Sequence, residues 1–258
     1  MMLLQTAERV SPNDPSDNYV YQRSMLAYVK AAELVSGGNV LEIGTGEGYG
    51  VSVIAPHADY FITIDKEPPL KGVIPENSNV AFKCMTVPPL TGIPSNSMDF
   101  VVCLQVIEHI KDDFKMMVEI RRVLRKGGKL IVSTPNRLMS LTRNPWHLRE
   151  YTSDELKGLT GCYFSSVEAF GIYGNGKVMQ YYENNKQSVE KILRFDPLQL
   201  NRRLPRFMLR LPYDIMNRVN RMRLLNQDES LTTSITMSDY YLKKADDECF
   251  DLFFIATK

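Results

Sequence analysis

Short apolar, β-branched runs punctuate the first half of the chain: NVLEIG from Asn39, YFITID from Tyr60, NVAFKC from Asn79, DFVVCL from Asp99 and KLIVST from Lys129. Runs of this length, closed by turn residues, predict buried strands. Helical spacing lies before and between them. Tyr21, Met25, Tyr28, Val29 and Ala32 recur on one face of a helix expected from about Tyr19 to Val35, stopped by Gly37-Gly38. DDFKMMVEIRRVLRKGG predicts a second helix, capped by Asp112 or Asp113 and ended by Gly127-Gly128. Strands alternating with helices predict βαβ units and a doubly wound parallel sheet covered on both faces.

Beyond Pro135 the pattern changes. NRLMSLTRNPWHLREY reads as a long polar and aromatic loop, and Thr152 then opens a short helix with Glu155 completing a capping box. SSVEAFGIYG and CFDLFFIATK predict two more strands. The roughly seventy residues between them are helical in pattern and interrupted by proline. The expected organisation is one domain over 1–258: a core at 19–175, a helical insertion at 176–246 and a last strand at 247–258.

Length and composition fit this division. The chain has 258 residues, 44% hydrophobic and 24% charged, which excludes wholesale disorder and suits one α/β domain with an insertion. Its 31 Lys+Arg balance 30 Asp+Glu, which argues against a chain basic throughout. The four cysteines have no metal-ligand spacing, and Cys84, Cys103 and Cys249 fall in runs expected to be buried, so reduced core thiols are expected. MMLLQTAERV lacks the basic lead of a signal peptide, and no run approaches a membrane span. A soluble cytoplasmic protein is expected.

Chemistry concentrates in VLEIGTGEGYG, Val40 to Gly50, where a buried strand runs into Gly44, Gly46, Gly48 and Gly50. Glycine lets a ligand approach the backbone, and amides at the next helix start hold polar or anionic ligand atoms. Asp65 closes the second strand, where a carboxylate reaches ribose hydroxyls. An adenosine-type cofactor is therefore expected at the carboxyl ends of strands one and two. The nicotinamide fingerprint needs a third glycine where Tyr49 stands. Glu42, within the strand, would repel a pyrophosphate but suits a cofactor carrying an ammonium and a sulfonium. Loop and acid together favour S-adenosylmethionine over NAD, which remains the alternative as a dehydrogenase cofactor.

LEIGTGEGYG, Asp65, MDFVVCLQVIEHI and EIRRVLRKGGKLIVSTPN, in this order, resemble the class I S-adenosylmethionine-dependent methyltransferases from about Tyr19 to Tyr173. The leader ERVSP, the first helix and GEGYG look like methyltransferases encoded with glycan-biosynthesis enzymes. The resemblance implies a Rossmann-like, seven-stranded sheet, mostly parallel with the last strand antiparallel. It implies methyl transfer to a small-molecule or glycan-precursor acceptor. Carried onto this sequence, Gly44, Thr45 and Gly46 would pass close to the cofactor, Glu42 would place its amino group, and Asp65 would bind the ribose. Gln105 would line the methionine pocket and Arg23 would pair with the cofactor carboxylate. The acid that often follows strand three is missing from CMTVPPLTGIPSNS, so adenine recognition would fall to backbone near Met85 and Thr86.

His109, after Glu108 at the end of strand four, is the candidate base, against a reading in which its ring orders the local turn. Tyr19, Tyr21 and Trp146 are candidate pocket walls for a cation. His147 and Arg149 are candidate substrate contacts, against a loop pinned by Trp146, Tyr151 and a local Arg–Glu pair. His57 reads as surface. Three scattered histidines without an acid cluster predict no metal. From Lys186 to Arg223, ten Lys+Arg face three Asp+Glu, a net of +7 that leaves −6 for the remainder. Leu204, Phe207, Met208 and Leu211 keep helical spacing beside Arg203, Arg206 and Arg210, with Pro205 and Pro212 expected to keep the helices short. The favoured reading is a lid; anionic lipid, a phosphorylated substrate or a docked partner are the alternatives, the last also for a non-catalytic cofactor-binding module. No nucleic acid is expected.

Overall fold

All seven expected strands form, and an eighth joins them. The computed structural model describes residues 9–75, 79–194 and 200–258. Its strands are β1 (Asn39–Ile43), β2 (Tyr60–Asp65), β3 (Val80–Cys84), β4 (Met98–Leu104), β5 (Leu124–Pro135), β6 (Ser166–Gly174), β7 (Tyr240–Lys244) and β8 (Asp251–Thr257). They lie in the order β3-β2-β1-β4-β5-β8-β6-β7. The run from β3 to β5 is parallel, and β8 is antiparallel to both β5 and β6.

The expected count of seven is corrected by β7, which falls inside the segment read as helical. Its five residues, YYLKK, bury Tyr240 and expose Tyr241, Lys243 and Lys244. A short lysine-bearing strand at a sheet edge has too little apolar pattern to announce itself, and its charges discourage further pairing.

The helices are α1 (Asn18–Leu34), α2 (Tyr49–Val53), α3 (Asp113–Val123), α4 (Ser153–Gly161), α5 (Gly176–Leu193), α6 (Leu200–Arg203), α7 (Arg206–Gln227) and α8 (Glu229–Ser234). Asp112 caps α3 and Thr152–Glu155 form the capping box of α4, as their sequences predict. Two expectations shift. Gly127-Gly128 do not end α3, which stops at Val123; they lie in an irregularity of β5, where pairing jumps from Met98 opposite Leu124 to Phe100 opposite Lys129. Pro212 does not shorten α7, which continues through it for 22 residues. The proline is exposed, so solvent reaches the carbonyl one turn back that loses its donor.

The chain divides into two compact units. One contains the sheet core: Met25–Met139, Leu148–Tyr173 and Leu242–Lys258. Here Leu41, Ile43, Ile62, Ile64, Val101, Cys103, Leu130 and Val132 join Met116, Met117 and Ile120 of α3 in one apolar cluster. Burying side chains of this size contributes about 1.5–3 kcal/mol each. Cys103 and Cys249 are buried as expected, but Cys84 is exposed, because it ends the outermost strand β3.

The other unit takes in Ser24 and the described residues before it, Ser140–His147 and Gly174–Tyr241. Its centre is polar and aromatic. Asp17 is fully buried and receives Arg218 and Arg221 of α7 at 3.0 and 2.6 Å; Arg218 also meets Asp14. Among the described residues, no helix is long and apolar enough to cross a membrane.

Candidate functional site

Parallel strands deliver β1, β2 and β4 to the sheet core's carboxyl edge, where loops rather than strands must satisfy the backbone. β1 ends at Ile43, and Gly44 turns with a φ of 91°. A Cβ there would overlap Val106, just past β4, so glycine is required both for the turn and for the close approach. Gly44 and Thr45 donate their N–H groups to the Ile64 carbonyl, fastening the loop to β2. Gly46 donates to Asp65 Oδ2 at 3.0 Å, and a Cβ at Gly46 would meet no atom within 4 Å. The loop thus presents an open backbone beside a carboxylate.

Beneath the loop lies Glu42, 1% exposed. Thr63 Oγ1 donates to its Oε2 at 2.5 Å, and Thr45 Oγ1 lies 2.7 Å from Thr63 Oγ1. With the Thr63 proton committed to Glu42, Thr45 is the donor in the outer contact. Glu42 Oε1 is buried and has no hydrogen-bond partner. Burial pushes the carboxyl up to about 8; the Thr63 bond opposes this, and the nearby Asp65 charge adds to it. Burial, then the charge of Glu42, raises the Tyr28 phenol as well. The ring of Tyr28 packs edge-on against Tyr49, at 5.8 Å between centroids, so Tyr49 fills space above the helix start.

The other cofactor candidates of this unit lie on the same edge. Met85 follows β3 and donates its N–H to the Asp65 carbonyl at 2.8 Å; Thr86 is exposed beside it. Gln105 follows β4 with a φ of 56°, a left-handed conformation that costs about 1 kcal/mol for a residue other than glycine. Its N–H donates to the Ser133 carbonyl and its Nε2 to Ser133 Oγ at 3.3 Å. Both bonds hold the strained turn.

A 3-10 turn, Ile107–His109, comes next. His109 is half-buried at its end. Glu108 is 1% exposed, accepts from Thr134 Oγ1 at 2.9 Å, and through its backbone carbonyl accepts from Leu148 and Arg149 N–H. Arg149 reaches beyond its own loop. Its guanidinium pairs with the buried Asp113 of α3 at 2.6 Å, and Tyr151 donates to the same oxygen at 2.8 Å. The bond to Asp113 holds the Arg149 guanidinium above its usual range, and burial with the same bond raises Tyr151.

The remaining candidates gather in the other unit. Tyr19 is buried, stacked on Tyr181 at 4.3 Å and edge-on to Tyr240, with the Arg23 guanidinium 5.6 Å from its ring. Tyr21 is half-buried on the same helix. Trp146 donates its indole N–H to Asp214 at 2.9 Å, and Arg210 lies 4.5 Å over its ring. The cation on that aromatic face is the protein's own. His147 shares a 2.8 Å hydrogen bond with Asn144. His57 is exposed in a surface turn, as expected.

Residue patterns alone named Gly50 only as a loop glycine and Asp113 only as a possible helix cap, and did not single out Thr63. Thr63 is the polar member of an otherwise apolar run, the one signal available. The importance of Gly50 and Asp113 depends on partners distant in sequence.

Residues 41–132 match the family of methyltransferase domains. The chain is 37% identical over 164 residues to a probable S-adenosylmethionine-dependent methyltransferase of Mycobacterium tuberculosis, covering 61% of this chain and 60% of that protein. A similarly named protein of Mycolicibacterium smegmatis is 38% identical over 160 residues, covering 60% and 62%. The chain therefore spans about three fifths of the length of these relatives. Among solved structures, an S-adenosylmethionine-dependent methyltransferase of Thermotoga maritima, a possible histamine N-methyltransferase, superposes with a TM-score of 0.56 at 16% identity, covering 93% of this chain and 91% of the other.

Proposed function

We propose that the protein, whose residues 41–132 match the family of methyltransferase domains, is a class I enzyme that transfers a methyl group from S-adenosylmethionine to a small-molecule or glycan-precursor acceptor. The observation that carries this reading is Glu42. A buried carboxylate oxygen without a partner costs free energy unless a donor arrives, and an ammonium is such a donor. A pyrophosphate would meet repulsion at the same point. The residues present therefore fit S-adenosylmethionine and argue against a nicotinamide cofactor.

When bound, the cofactor supplies a methyl group on a sulfonium, open to in-line displacement. Glu42 would accept from its ammonium, with Thr63 and Thr45 holding the carboxylate. Asp65 would accept from the ribose hydroxyls. The backbone at Met85 and Thr86 would border the adenine, and Gln105 the methionine portion. Alignment is the main demand of such a displacement, with the reacting atoms about 3 Å apart. Where the acceptor must lose a proton, His109 is the group assigned to take it. Arg149 is held by Asp113, so its first role is to position the segment after Trp146.

Calorimetry tests the reading. S-adenosylmethionine and its demethylated product should both bind, and NADH should not. Absence of binding at millimolar S-adenosylmethionine would overturn it. Acceptor identity is then read from a metabolite extract as the species that gains one methylene in mass.

A further inference from the structure

Helix α7 is amphipathic in the opposite sense from an ordinary surface helix. Its inner side is polar: Asp214 receives Trp146, and Asn220 bonds Ser188 at 2.6 Å and Asn185 at 2.7 Å on α5. Its outer side is apolar. Phe207, Met208, Leu211, Ile215, Val219 and Met222 follow each other at spacings that hold one face, and they are 73, 50, 57, 42, 57 and 52% exposed. With 22 residues, the helix offers this stripe over about 33 Å. Contiguous apolar surface of this extent marks an interaction site.

Charge identifies the occupant. Between residues 200 and 227 the only acid is Asp214, on the inner side and bonded to Trp146, against seven arginines. Arg218 and Arg221 are neutralised by Asp14 and Asp17. Arg203 and Arg223 are exposed near the two ends of the stripe. A second copy of this face would bring arginines against arginines with no acid between them. A nucleic acid would leave the apolar stripe wet.

We propose that α7 docks on the surface of an anionic phospholipid bilayer. It lies flat, with its apolar stripe at the acyl boundary and Arg203 and Arg223 at the headgroup phosphates. It does not span. An apolar face bordered by arginines matches the interfacial mode of membrane binding. The inference is independent of the methyl-transfer reading.

Sedimentation of the full chain with vesicles tests it. The protein should pellet with vesicles of phosphatidylcholine and phosphatidylglycerol in roughly equal parts. It should remain in solution with phosphatidylcholine alone, and high salt should release it. Arg203→Gln with Arg223→Gln should weaken partitioning by about fivefold per charge. The triple variant Phe207→Ser, Leu211→Ser, Val219→Ser should abolish it while leaving the circular dichroism spectrum and S-adenosylmethionine binding unchanged. Equal binding to both vesicle types, or none to either, overturns the proposal. So does a concentration-dependent dimer in light scattering that the triple variant removes without any vesicle binding in the parent. Should the triple variant misfold, the arginine pair decides, since both residues are exposed.

Discussion

Gly50 packs directly against Glu42: a Cβ at position 50 would lie inside the Glu42 carboxylate. The glycine thereby fixes how deep the first turn of α2 sits on β1. Gly50→Ala must displace either the helix start or the carboxylate. Overpacking of this kind costs about 1–3 kcal/mol. Thermal melts should register that loss, and calorimetry should show S-adenosylmethionine binding weakened beyond what Gly158→Ala causes on α4, where a Cβ meets no atom within 4 Å. Equal effects of the two substitutions would contradict this account.

Glu42 also predicts a pH signature. Its value in the folded protein is about 8, above the ordinary 4.5, so the folded chain holds a proton that the unfolded chain has released. The resulting stability is complete below pH 4.5 and is lost as pH rises through about 8. An ammonium beside the carboxylate favours its charged form. Cofactor binding near neutral pH should therefore release a proton, seen as a binding enthalpy that varies with the buffer's ionisation enthalpy. Affinity should rise as pH approaches 8. Glu42→Gln should abolish the proton release.

Asp65 carries the prediction for the ribose. Hydrogen bonds to a charged group contribute about 1.5–3 kcal/mol each. Asp65→Ala should therefore weaken S-adenosylmethionine binding by at least about tenfold, and Asp65→Asn by less, with the melting temperature little changed. Loss of fold in Asp65→Ala, at this half-buried end of β2, would mean that the bond from Gly46 is the residue's main task.

Asp113 should matter through Tyr151 more than through Arg149. Tyr151 is fully buried and Arg149 is exposed, so the tyrosine hydroxyl loses its acceptor away from water while the guanidinium remains solvated. Removing the carboxylate leaves a buried hydroxyl unsatisfied, at about 1–3 kcal/mol. Asp113→Ala should lower stability to urea by about 2 kcal/mol, Arg149→Ala by under about 1 kcal/mol. A double-mutant cycle of Asp113 with Tyr151 measures the coupling.

The parallel core was legible because its signals are local. A buried strand announces itself by β-branched residues, and the glycine loop and Asp65 stand at strand ends where pattern and chemistry coincide. Thr152 and Glu155 cap a helix within one turn of each other. What escaped depends on distance. The Arg149 partner lies 36 positions away on α3, beyond the reach of any local pattern. Strand β7 exists through its place beside β6, since YYLKK has little apolar alternation of its own. The helix-shortening expectation for Pro212 failed because α7 is held by long-range contacts of Asp214, Arg218, Asn220 and Arg221, which local pattern does not carry.

The place of β8 has a consequence for the order of synthesis. It lies between β5 and β6 and separates them, yet it is made after every other strand of the sheet. Until it arrives, β6 has no route to β5, and the nascent sheet ends at β5 with an unpaired edge. More than a hundred residues emerge during that interval, Pro135 waiting for its partner Asp251. Such an open edge is a template for other chains. The growing polypeptide thus depends on its final strand for protection as much as for stability, and damage near Asp251–Thr257 should surface first as poor yield.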